Sequence, residues 1–126
     1  MEAVFVLKGL QGERRAKASQ FFKGLFETDL KPGEILVAAE FPKQKGGHAF
    51  LELTRRHGDY AIVGLAAVQG RFVFFGVGAT PVSFSSKEEL KKNLKPSPDL
   101  YHSSATKLHL AGVLMERAWN TLSTSH

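Results

Sequence analysis

The sequence predicts an α+β fold: an antiparallel sheet of three to four strands packed against two or three helices. Three observations carry that expectation. Short apolar or alternating runs recur through the first two-thirds of the chain, as strands do. Val68 and Arg71 are separated only by Gln69-Gly70, short enough for a hairpin between antiparallel neighbours. The last third holds two helical patterns, and strands followed by helices is an α+β order.

Taken in order, "EAVFVLKGLQGERRAK" reads as an alternating strand, a turn over Gly9 to Gly12 and a basic continuation, hence a hairpin or edge ribbon. In "ASQFFKGLFETDL", Ser19 is placed to cap a short helical turn carrying Phe21, Phe22, Leu25 and Phe26, most simply as core, ended by Gly24 and "KPGE". Glu34 to Phe41 is a strand closed by Pro42, which has no amide to continue a ladder, and "KQKGG" is a polar loop. Ala49 to Thr54, Tyr60 to Val68 and Arg71 to Val77 are further strands, apolar enough to lie beneath helices. Ser85 or Ser86 caps "KEELKKNL", with acids first and lysines last as the helix dipole favours, and "KPSPD" ends it. From Ser103 to Leu122, a stripe of Leu108, Ala111, Met115 and Leu122, widened by Leu110, Val113, Leu114 and Ala118, predicts an amphipathic helix.

Composition excludes much chemistry. The sequence has 126 residues and no cysteine, which rules out disulfides, thiolate nucleophiles and cysteine-ligated metal centres. No run approaches the roughly 20 apolar residues that span a bilayer, and "AVFVL" is too short for a secretory core, so a soluble, cytoplasmic protein is expected. The formal charge of +5 invites a nucleic-acid reading, but the basic residues fall in small groups with acids nearby, and no recognition motif accompanies them; no nucleic-acid partner is expected. His48, His57, His102, His109 and His126 lack ligand spacing, so no metal site is expected, and no "GxSxG" elbow accompanies His57 and Asp59. "GVGAT" lacks the lysine of a P-loop and the third glycine of a dinucleotide fingerprint, and reads as a strand-exit turn.

"TRRHGDYA", Thr54 to Ala61, is a polar interruption between apolar strands. One account makes it a loop in which Gly58 supplies a positive φ, Asp59 caps its own turn and the arginines are solvated. The other gives Arg55 or Arg56 a fork of donors for phosphate or carboxylate, with Asp59 and Tyr60 offered to a planar polar ligand. Spacing does not choose between them.

"FFKGLFETDLKPGEIL", "AFLELTRRHGDYAIVGLAA", "GVGATPV" and "HLAGVLMERA" resemble, in order and over nearly the whole chain, the C-terminal part of the FAD-binding flavoprotein subunit of molybdenum hydroxylases, the family of carbon monoxide dehydrogenase and xanthine dehydrogenase. The resemblance implies that residues 1–30 are the end of an FAD-binding domain and residues 31–126 a C-terminal α+β domain, with the boundary near Lys31 to Glu34. It implies an electron-transfer component that positions and shields FAD and is not catalytic alone, with Arg55, Arg56, Gly58, Asp59 and Tyr60 toward the flavin. FAD would then be held only with a partner supplying the FAD-binding domain, and further partners would be iron–sulfur and molybdopterin subunits. A homodimer is a further expectation, made through any of Phe21, Phe22, Phe26 or the first strand left exposed. The alternative is a freestanding interaction or regulatory module that keeps the fold without cofactor. Thr106 and Lys107 depart from the family pattern, where tyrosine and arginine are common, and Gly58 and Leu51 are closer to the carbon monoxide dehydrogenase branch.

Overall fold

The computed structural model describes residues 2–68 and 70–124. The chain divides into two compact units, Met1–Lys45 and Gly46–His126.

In the first unit, β1 (Val4–Gly9) and β2 (Gly12–Lys17) form the expected hairpin, with Gly9 opposite Gly12 and Gly12 at φ 122. β5 (Ile35–Glu40) pairs antiparallel with the other edge of β1, giving the order β2-β1-β5. That pairing belongs to the compact unit that runs to Lys45. The helical turn is shorter than expected. α1 (Ala18–Phe21) stops at Phe21, and Phe22 enters β3 (Phe22–Gly24), a two-stranded ribbon with β4 (Glu27–Thr28). Ser19 lies inside α1; Lys17 is the capping position and makes no side-chain bond there. Of the apolar residues expected in the core here, Phe21 is buried with Leu7 and Ala16, whereas Phe22, Leu25 and Phe26 are exposed. Phe26 sits at φ 57 in the β3–β4 turn and is 98% exposed.

Arg14 clasps this unit. Its Nε donates to Glu34 Oε1 and its Nη1 to Asp29 Oδ2, both at 2.8 Å, while Nη2 reaches the Asp29 carbonyl and Glu34 Oε2. The guanidinium holds the Glu34 carboxyl down to about 2, assisted by the Lys31 amide.

The second unit is an antiparallel sheet of four strands in sequence order: β6 (His48–Leu53), β7 (Val63–Val68), β8 (Arg71–Phe75) and β9 (Val82–Phe84). Val68 pairs with Arg71 across the expected hairpin, whose Gln69 lies outside the described residues. The strand expected from Tyr60 begins only at Val63, because Thr54 to Ile62 leave the sheet as a loop. α2 (Lys87–Asn93) is capped by Ser86, whose side chain accepts from the Glu89 amide, and Ser85 donates to the Glu89 carboxylate. α3 (Ser104–Thr124) lies against β6 and β7.

Val63, Leu65, Phe72, Phe74, Leu90, Ala111 and Leu114 form the heart of the core. Each large side chain among them contributes about 1.5–3 kcal/mol by leaving water. Gly64 is required by packing: a Cβ there would stand 2.0 Å from the Phe75 ring, which stacks on Phe50 at 5.7 Å. Among the described residues, no helix is long and apolar enough to cross a membrane.

Candidate functional site

The polar segment is built on a closed strand pair. Leu53 ends β6 opposite Val63 of β7, and the Ile62 amide donates to the Leu53 carbonyl at 2.7 Å, so residues 54–62 leave and return at one end of the sheet. Within the loop the Asp59 amide donates to the Arg56 carbonyl at 3.1 Å, closing a four-residue turn. Gly58 is its third residue, with φ 82, the value a type II turn needs there and one that glycine adopts freely. Asp59 Oδ1 accepts the Tyr60 amide at 2.9 Å, so Asp59 caps its own turn.

Arg55 is not simply solvated. Its Nη2 lies 3.9 Å from Asp59 Oδ2, and its guanidinium carbon stands 4.1 Å from the centroid of the Tyr101 ring, an arrangement of cation over aromatic face. Arg56 is exposed, and Tyr60 is 95% exposed. The structure therefore brings Arg55, Gly58 and Asp59 together as the framework of the turn and leaves Arg56 and Tyr60 pointing into solvent.

Sequence reasoning missed the second wall. Residues 96–103 run beside the loop through Tyr101, and they are fixed by Asp99. Asp99 Oδ1 accepts the amides of Tyr101 and His102, both at 2.9 Å, and lies 3.0 Å from His102 Nδ1. Asp99 Oδ2 meets the Lys107 ammonium at 2.9 Å. That ammonium, followed by the Tyr101 amide, holds the Asp99 carboxyl well below the usual carboxylate range. A signal for Lys107 was present. It falls four residues before Ala111 and eight before Met115, on the apolar stripe of α3, where a charge must find partners.

"GVGAT" is the strand-exit turn read from the sequence. Gly76 has φ 76, and a Cβ on it would come within 2.9 Å of the Ala61 carbonyl oxygen and 3.0 Å of that of Ile62. The end of the polar loop thus rests directly on the Gly76 backbone. A concavity of about 330 Å³ elsewhere in the unit is lined by residues that include Ser86, Lys87, Met115, Glu116 and Trp119; Lys87 there pairs with Glu116 at 3.0 Å, and Ser86 accepts the Glu89 amide. Among the described residues, no three His, Asp or Glu side chains gather for a metal ion.

No protein-family model matches the chain. It is 30% identical over 102 residues to the 6-hydroxypseudooxynicotine dehydrogenase complex subunit alpha of Paenarthrobacter nicotinovorans, covering 71% of this chain and 34% of that one. It is 34% identical over 87 residues to the carbon monoxide dehydrogenase medium chain of Afipia carboxidovorans, covering 64% of this chain and 30% of that one. A solved carbon monoxide dehydrogenase from Hydrogenophaga pseudoflava superposes with a TM-score of 0.85 at 26% identity, over 98% of this chain and 53% of that one. The quinoline 2-oxidoreductase of Pseudomonas putida 86 gives a TM-score of 0.80 at 26% identity, with the same coverage.

An α+β chain of antiparallel sheets, with a glycine-turned polar loop between the first two strands of its larger sheet, thus has the fold of part of these solved dehydrogenase and oxidoreductase chains. The chain is homologous to the FAD-binding flavoprotein subunits of carbon monoxide dehydrogenase and related molybdenum hydroxylases. It spans about a third of the length of the curated relatives it matches.

Proposed function

We propose that the chain is the flavin-covering part of an electron-transfer subunit in a hydroxylase complex. In this reading residues 1–30 are the end of an FAD-binding domain, residues 31–126 are the C-terminal α+β domain, and a partner supplies the remaining FAD-binding domain. Iron–sulfur and molybdopterin subunits would complete the assembly, and the chain is not catalytic alone.

The observation that supports this most is the presentation of the 54–62 loop: a turn fixed internally by Gly58 and Asp59 that leaves the Tyr60 ring free in solvent. These residues fit one end of a flavin. Tyr60 offers an aromatic face, Arg55 and Arg56 offer donors, and Gly58 lets the backbone come close. When bound, the flavin would supply the capacity to accept and pass on electrons. The chain's own residues would orient it and exclude water. Glycine-rich pyrophosphate loops are not part of the sequence, so the chain alone is expected to hold FAD weakly or not at all.

The test is to co-express the chain with the FAD-binding half and compare Asp59→Ala and Tyr60→Ala with wild type. Altered flavin affinity or reduction potential, with stability unchanged within about 1 kcal/mol, supports the reading. Large loss of stability with unchanged flavin properties would make the loop a structural turn. The freestanding-module reading draws on a separate observation, the exposure of all six residues of β5, which calls for a partner whether or not flavin is bound.

A further inference from the structure

Lys107 is the charged side chain buried in the core of the described residues, 6% exposed among Ala111, Leu114 and Met115 on the stripe of α3. Burying an ammonium costs free energy unless it is paired, and a methionine of similar length would fill the space without that cost. Packing therefore does not account for it. Its partners do.

Lys107 Nζ donates to the Gly76 carbonyl at 3.1 Å and meets Asp99 Oδ2 at 2.9 Å. Those two partners hold the two ends of the polar loop. On one side, Gly76 is the residue against which the Ala61 and Ile62 carbonyls rest. On the other, Asp99 fixes the Tyr101 amide, and the Tyr101 ring lies under the Arg55 guanidinium. One ammonium thus ties the β8 exit to the 96–103 segment, and through them reaches both the first and the last residues of the loop.

We propose that Lys107 is the positioning residue of this site: through Asp99 and Tyr101 it sets the place of Arg55, and through Gly76 the return of the loop at Ala61 and Ile62. The significance for flavin rests on the function proposed above. The structural link does not, and its test needs no flavin.

In the intact chain, NMR should show the side-chain protons of Arg55 displaced upfield by the ring current of Tyr101, with Tyr101→Leu defining zero displacement. Lys107→Met should bring the displacement to that zero. Lys107→Arg should retain it, because a guanidinium can also bridge a carbonyl and a carboxylate. Urea unfolding followed by Trp119 fluorescence verifies that each variant is folded. Retention of the displacement in folded Lys107→Met overturns the proposal, as does its loss in both Lys107 variants, which would mean that a cation bridging the Gly76 carbonyl and the Asp99 carboxylate is not what places Arg55. Should Lys107→Met fail to fold, Asp99→Ala at an exposed position reads the same link, and an unchanged Arg55 displacement there overturns the proposal equally.

Discussion

Replacing Gly76 with alanine should damage the protein more than replacing Gly58, although both glycines have nearly the same backbone conformation. Gly58 has φ 82 and Gly76 φ 76, so an alanine at either pays the left-handed penalty of about 1–2 kcal/mol, offset in part by the smaller entropy of its unfolded state, about 0.4–1 kcal/mol. For Gly58→Ala that is the whole effect, since nothing lies within 4 Å of the added Cβ. A net loss of about 1 kcal/mol follows.

At Gly76 the same Cβ would stand 2.9 Å from the Ala61 carbonyl oxygen and 3.0 Å from that of Ile62. Both are backbone atoms, held in place by the Ile62 amide on Leu53, so relief requires moving the end of the loop. Overpacking of this kind typically adds about 1–3 kcal/mol, which puts Gly76→Ala at about 2–4 kcal/mol. The assay is urea unfolding followed by the fluorescence of the single tryptophan, Trp119, which stacks on Phe72 at 5.9 Å and reports on the second unit. With an m-value of about 2 kcal/mol/M, the midpoint of Gly76→Ala should fall about 0.5–1.5 M below that of Gly58→Ala at equal slope. Equal midpoints would refute the argument that the loop rests on the Gly76 backbone.

Two further outcomes are expected of the first unit. The Arg14–Glu34 clasp has a depressed folded-state carboxyl, about 2 against an ordinary 4.5, so its contribution is complete above about pH 4.5 and is lost as pH falls toward 2; the protection of β1 and β5 amides from hydrogen exchange, relative to the unfolded chain at the same pH, should fall across that window, and Arg14→Met should weaken the dependence. β5 exposes Ile35, Leu36 and Val37 at 65%, 44% and 46%, so without a partner the chain should self-associate; sedimentation should show a dimer that Val37→Lys weakens, and a monomer at high concentration would contradict this.

Much of the fold was legible because its signals are local. The Val68–Arg71 hairpin follows from a two-residue connection, and α2 from a serine with a glutamate three residues on. α3 follows from a stripe at helical spacing. The misreadings also have physical reasons. Phe22, Leu25 and Phe26 look like core by type, yet the segment forms a ribbon with Phe26 in the αL conformation, where Phe22 keeps only an edge contact with Phe5 and Phe21, and Leu25 and Phe26 lie exposed. Tyr60 to Ile62 share the apolar tone of β7, but the turn at Gly58 delays pairing until Val63. At the site, Gly58 and Asp59 could be read because a turn is a local object. Tyr101 could not, since its contact with Arg55 joins segments 46 residues apart.

The geometry also divides the five sequence-derived residues by what they have left to offer. Asp59 Oδ1 is engaged by the Tyr60 amide, and Arg55 is held between Asp59 and the Tyr101 ring. Gly58 contributes a conformation, not a contact. Those three build the turn. Arg56 and Tyr60 face solvent, and they are the groups free to meet an incoming molecule without first breaking an internal bond. Because both sit on a backbone already fixed by the Asp59–Arg56 turn and the Ile62–Leu53 bond, a ligand would meet them with little of the ordering cost that a slack loop imposes. Under the function proposed above, a fixed base with two unengaged side chains suits a surface that covers a flat molecule held by a partner. Affinity would then depend chiefly on that partner, and this chain would act on the molecule's orientation and its exposure to water.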